Sequence, residues 1–135
     1  MRKGIVAYLI SAGLYACASV PQAYFASDIL VVSEDQLKVY WQPKKETIKF
    51  RESPGFKPVA GCGYVIVQHL IDSNGNVFNP EIIESVPAGV YDRSALKVLT
   101  LIRYIPADTN PEKVPVKVSR KTTFLTKGQE CASHT

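Results

Sequence analysis

The feature that most restricts this chain is an alternating run ending on an Asn-Gly turn. Residues 63–72 read GYVIVQHLID. Val65, Val67, His69 and Ile71 fall on one face of a strand, and Tyr64, Ile66, Gln68 and Leu70 on the other. Ser73-Asn74-Gly75-Asn76 follows, and an Asn-Gly pair accepts the positive φ that a tight hairpin needs. Residues 77–85 return as a second strand. Pro80 lies inside it; proline cannot donate to a ladder, so this strand is expected at a sheet edge.

Downstream, residues 92–103 (DRSALKVLTLIR) place Ala95, Val98, Leu99 and Ile102 at helical spacing, forming one apolar stripe. Ile105-Pro106 stops that helix, and residues 108–113 form a polar loop. Residues 114–125 (VPVKVSRKTTFL) alternate again, with Val114, Val116 and Val118 on one side. The order strand, strand, helix, strand predicts an α+β fold: a three-stranded antiparallel sheet, order 2-1-3, with the helix on one face. The third strand is then the other edge. Ahead of this unit, Ser33-Glu34-Asp35-Gln36 is a capping box. It opens a short helix running to Gln42, and Pro43 ends it. Residues 47–51 suit a short strand, and Tyr40 and Trp41 serve as packing anchors.

Hydrophobic residues make up 46% and charged residues 21% of 135, which excludes a disordered tail or a collagen-like chain. The net charge of +4 includes Arg2 and Lys3. They precede an uncharged stretch, residues 4–27, whose first part (4–14, GIVAYLISAGL) has the length of a signal-peptide core rather than a membrane span. Ala16-Cys17-Ala18 offers small residues for cleavage before Ser19. Leu14-Tyr15-Ala16-Cys17 also resembles a lipobox, making Cys17 a lipidation candidate. The division expected is a signal peptide at 1–18, a helix-and-connector segment at 19–60, the sheet domain at 61–128 and a tail at 129–135. Without residues 1–18 the charge falls to about +2, too weakly basic to indicate nucleic acid.

Of the three cysteines, Cys62 and Cys131 remain after export, and an exported pair is expected to bridge. An antiparallel third strand brings Cys131 back towards Cys62. Closing a loop of about 70 residues contributes on the order of 4 kcal/mol in the chain-entropy model. A metal site using Cys62, His69, Cys131 and His134 is disfavoured, because a strand holds Cys62 and His69 about 23 Å apart. No metal or cofactor is expected.

Several residues together resemble the C-terminal domain of the TonB family. The pattern is Ile71-Asp72-x-x-Gly75-x-Val77 at the hairpin, then Ser85-x-Pro87-x-Gly89-x-Tyr91-Asp92-x-x-Ala95 into the helix. It closes with Tyr104-x-Pro106-Ala107 and Pro115-Val116-x-Val118. The long spacer of an energy transducer is missing, and the N-terminus reads as cleavable. The resemblance implies a stand-alone periplasmic module of a Gram-negative envelope that binds an extended segment of an outer-membrane or envelope protein. Membrane attachment follows only if Cys17 is lipidated or the N-terminus retained; retention would instead give an anchored energy transducer.

Strand addition is the physical mode this implies, since an exposed edge offers unpaired N–H and C=O groups. The docking edge expected is the third strand, with Val114, Val116, Lys117, Val118, Arg120, Lys121 and Thr122 at the contact. The three cations protect that edge from aggregation or bias docking electrostatically. The same edge would serve a homodimer in a structural envelope protein. No catalytic residue is nominated. His69 lies on an apolar face as a structural histidine; Asp72 and Glu84 read as turn and surface residues; Ser85 and Ser94 lack a nucleophile elbow. An enzyme is not expected.

Overall fold

The computed structural model describes residues 21–44 and 61–125. The expected signal peptide, Cys17, the strand at 47–51, Cys131 and the tail lie outside the described residues. Along the chain come β1 (Leu30–Val32), α1 (Glu34–Tyr40), β2 (Trp41–Pro43), β3 (Cys62–Ile71), β4 (Val77–Val86), α2 (Asp92–Leu101), β5 (Tyr104–Pro106) and β6 (Val116–Leu125). The fold is α+β, but its main sheet has four strands, ordered β1-β6-β3-β4. The expected antiparallel trio is present inside it, with β3 flanked by β4 and β6. The correction is β1, which runs parallel to β6 and matches Leu30, Val31 and Val32 to Val116, Lys117 and Val118. The third strand is therefore not the outermost one along its first half. A second, two-stranded sheet pairs β2 with β5, two segments expected as a helix end and a helix stop.

The alternation of β3 decides the layering. Val65, Val67, His69 and Ile71 are buried, while Tyr64, Ile66, Gln68 and Leu70 are half-exposed on the open face. Two apolar clusters cover the buried face. Val65 and Val67 pack with Tyr91, Ala95 and Leu99 of the α2 region. Ile71 packs with Val32, Leu37, Trp41, Tyr104, Val116 and Val118. The first rests on the stripe read from sequence; the second is closed by β1, α1 and β2, which the sequence placed less well. Tyr91 stacks on Phe124 with ring centroids 4.7 Å apart. A side chain at Gly63 would strike that Tyr91 ring and the Val86 carbonyl, so glycine is required there.

The hairpin loop is a hub rather than a simple turn. Asp72 is fully buried, contrary to its reading as a surface residue. Its Oδ1 accepts from the Asn74 and Asn76 amides at 3.0 and 2.8 Å, and its Oδ2 from the Tyr24 amide at 3.1 Å. The Ser73 amide donates to the Tyr24 carbonyl at 2.8 Å, and Ser73 Oγ accepts from the Ala26 amide at 2.9 Å. A carboxylate that satisfies three backbone donors explains why it is buried at all. Gly75 has φ of 80°, and a Cβ there would fall 2.0 Å from the Tyr104 carbonyl oxygen. Loop, N-terminal segment and β5 are thus fastened together.

Candidate functional site

The residues expected at a docking edge lie on β6 or just before it, and the structure sorts them into four groups. Val114 precedes the strand and is tied elsewhere: its amide donates to Asn110 Oδ1 at 2.9 Å, and its carbonyl accepts from Trp41 Nε1 at 2.8 Å. Val116 and Val118 are buried in the core beneath β1 and α1. They belong to the inner face, and β1 covers the backbone edge beside them. Lys117, Lys121 and Thr122 remain partly or wholly exposed.

Arg120 leaves the group of edge cations. Alternation puts it on the same face as Val116 and Val118. There its Nη1 donates to the Tyr104 hydroxyl at 2.9 Å, and its Nε meets Glu34 Oε1 at 3.4 Å. Burial would lower its pKa, but Tyr104 and Glu34 together hold it above the ordinary value. Burial raises the Tyr104 phenol, with Arg120 opposing. Two shallow hollows flank Arg120. One of about 200 Å³ lies between α1, Trp41, Tyr104 and Arg120; the other, of about 300 Å³, lies between α2 and residues 120–123. Lys121 sits on the opposite, open face, its Nζ 4.0 Å from the centroid of the Tyr64 ring. Tyr64 in turn donates to Glu84 at 2.5 Å, a bond that raises its pKa.

Backbone direction along β6 follows from two observed bonds. The Leu30 amide donates to the Pro115 carbonyl at 3.0 Å, and the Lys121 amide donates to Glu34 Oε2 at 3.2 Å. Both lie on the side away from β3. With a period of two, the backbone groups of Lys117, Ser119 and Thr123 face the same way. Beyond Val118 no strand lies beside this edge among the described residues; the Glu34 carboxylate occupies one of its donors. As neighbours of β6, Leu30, Val32 and Glu34 escape the sequence reading. The capping box was the available signal for Glu34: Ser33 Oγ accepts from the Gln36 amide at 3.3 Å, and Gln36 Oε1 from the Ser33 amide at 3.0 Å. That box fixes the first turn of α1 against β6.

His69 is buried opposite Val118, and neither ring nitrogen has a hydrogen-bond partner. Burial pushes its pKa down to about 4; a backbone contact with Val67 opposes this, Arg120 adds to it, and Glu34 opposes it. No nucleophile touches it. Ser85 donates to Asp92 Oδ1 at 2.5 Å and accepts from the Gly89 amide at 3.3 Å, steadying the start of α2. Among the described residues, no group of three His, Cys, Asp or Glu side chains is placed to hold a metal ion. None of their helices is long and apolar enough to cross a membrane.

A helix-backed sheet with one hairpin edge and one partly covered edge defines a small α+β domain. Residues 61–125 match the family model described as Gram-negative bacterial TonB protein C-terminal. That part of the chain is similar in sequence to the TonB C-terminal family. The solution structure of the Pseudomonas aeruginosa TonB C-terminal domain is similar in fold, with a TM-score of 0.52 and 20% identity. The match covers 73% of this chain and 97% of that one. No curated protein matches in sequence.

Proposed function

We propose that this chain is a non-enzymatic, TonB-like binding module of the Gram-negative periplasm. It recognises an extended segment of an envelope or outer-membrane protein by adding that segment to the open half of β6. The match of residues 61–125 to the TonB C-terminal family model supports the class. The observation that carries the site is the edge beyond Val118, where β6 continues to Leu125 with no strand beside it among the described residues. An incoming backbone there meets the outward carbonyls of Ser119 and Lys121 and the outward groups of Thr123, while the Lys121 and Thr122 side chains are accessible. The opposite edge, β4, is less suited, because Pro80 removes a donor and Asn79 sits at φ 47°.

The test is a titration of the isotope-labelled chain with synthetic peptides from the periplasmic ends of outer-membrane proteins. Amides of residues 119–125 are expected to shift first. Shifts confined to β4 or to α2 would remove this site. Export and a Cys62–Cys131 bridge belong to the same reading, and register supports the bridge, since Cys62 lies directly across from Leu125. Intact-mass measurement of the chain isolated from cells should show loss of residues 1–18 and of two hydrogens; a retained N-terminus would restore the anchored-transducer alternative.

A further inference from the structure

We propose that residues 28–34 are an internal occupant of the docking edge, a strap that a partner segment of matching chemistry displaces. The inference rests on the docking reading above and extends it to Val116–Val118. Among the described residues, the backbone partners observed on the outer side of β6 all come from this one stretch. Leu30, Val31 and Val32 lie beside Val116, Lys117 and Val118. Glu34 then places one oxygen on the Lys121 amide and the other on Arg120. Backbone pairing followed by a carboxylate on the next free donor imitates a bound peptide.

The strap is built to leave. β1 has three residues, and its parallel ladder is the weaker kind. Leu30 and Val31 are 40% and 72% exposed; only Val32, at 7%, is anchored, packing in the cluster with Leu37, Trp41, Ile71 and Val118. The Arg120–Glu34 pair is partly exposed on both sides and holds weakly. Behind it, Tyr24 and Ala26 are bonded to Asp72 and Ser73, so a released strap stays tethered to the hairpin loop.

The occupant also states what a competitor must look like. It is an extended segment running parallel to β6. It carries a β-branched aliphatic residue at the Val32 position, which fills the gap between Trp41 and Val118. Two residues later it carries a carboxylate for Arg120 and the Lys121 amide. Flanking residues are unrestricted, because Val31 points to solvent.

The probe is the peptide Asp-Ile-Leu-Val-Val-Ser-Glu, identical to residues 28–34, titrated into the labelled chain as isolated from cells. A competing internal strand lowers apparent affinity by the fraction of molecules with the edge open. The double variant Leu30→Pro/Glu34→Ala removes the amide that bonds Pro115 and the carboxylate on Lys121. It is expected to bind the peptide at least tenfold more tightly than the parent, with shifts at Lys117, Ser119 and Lys121. Val31→Pro is the control: the Val31 amide faces away from β6, so binding should match the parent. A gain with Val31→Pro equal to that of the double variant overturns the strap. Equal edge binding by parent and double variant overturns the strap and leaves the docking reading standing. Shifts on β4, or none in either protein, overturn both. If Leu30→Pro unfolds the domain, Glu34→Ala alone must raise affinity and release the Lys121 amide; no gain there overturns the proposal.

Discussion

The two sides of the main sheet face the same hazard and meet it differently. β4 ends the sheet on one side among the described residues, and its protection is partly covalent. Pro80 withholds a donor, Asn79 bends the strand at φ 47°, and the register against β3 slips twice. The missing Pro80 donor cannot be restored without changing the sequence. On the other side β6 keeps a straight ladder of ten residues against β3, and its outer side is shielded by three strand residues and one carboxylate. Such a shield is conformational, so the population of open molecules is set by the free energy of local opening and falls exponentially as that free energy rises. On the proposed reading, a sheet with one blunted edge and one reversibly covered edge directs strand addition to a single place.

That contrast breaks most sharply at Asp72. Asp72→Ala leaves the amides of Tyr24, Asn74 and Asn76 without their acceptor, at an expected cost of about 3 kcal/mol in urea unfolding. Hydrogen exchange should show β6 losing protection before β4. Uniform loss along both edges would mean that the two sides are not independent.

Acidification is expected to act with a comparable but graded effect. His69 titrates near 6.5 in the unfolded chain and at about 4 in the fold. The unfolded state therefore binds more protons between those values, and stability falls as pH drops through that window. The loss reaches roughly 3 kcal/mol below pH 4, at about 1.4 kcal/mol per pH unit, and vanishes above pH 6.5. Equilibrium unfolding at several pH values measures it. His69→Leu should flatten the slope and cost little at pH 7, since both ring nitrogens are unpaired. An unchanged slope would assign the pH dependence to another group.

Glu34→Ala is expected to change global stability by less than about 1 kcal/mol, because the pair with Arg120 is partly exposed on both sides. Exchange of the Lys121 amide should nevertheless rise at least fivefold. Unaltered exchange would mean that the carboxylate does not guard the edge. The smallest stability effect is expected at Pro80→Val, within about 0.5 kcal/mol as for ordinary surface changes. Light scattering at rising concentration should then show new self-association through β4; a monomer throughout would show that Asn79 and the register slips suffice.

Much of this was legible because its signals are local. The alternation of residues 63–72 and the Asn-Gly turn gave β3 and the hairpin, Pro80 gave an outer strand, and the Ala95–Leu99 spacing gave the face of α2. The capping box at Ser33 gave the start of α1. What escaped is non-local. Leu30–Val32 is too short to show a period, and its partner lies some 86 positions away. Tyr104–Pro106 reads as a helix stop and becomes a strand only because Trp41–Pro43 lies beside it. Asp72 reads as an exposed turn residue until the Tyr24 amide arrives to complete its coordination. Arg120 is different: alternation with Val116 and Val118 already placed it on the inner face, but its charge suggested the surface. A guanidinium is tolerated there because Tyr104 and Glu34 receive it.

The bonds of Tyr24 and Ala26 to Asp72 and Ser73 have a mechanical consequence. Tension applied to the chain ahead of Tyr24 loads those contacts before it reaches Leu30 or Glu34. The hairpin loop, whose Gly75 carbonyl also holds the Tyr104 amide at 2.9 Å, takes the strain into the body of the domain. A pull from that direction is borne by the anchorage, and the covered edge stays out of the line of force until the anchorage gives way.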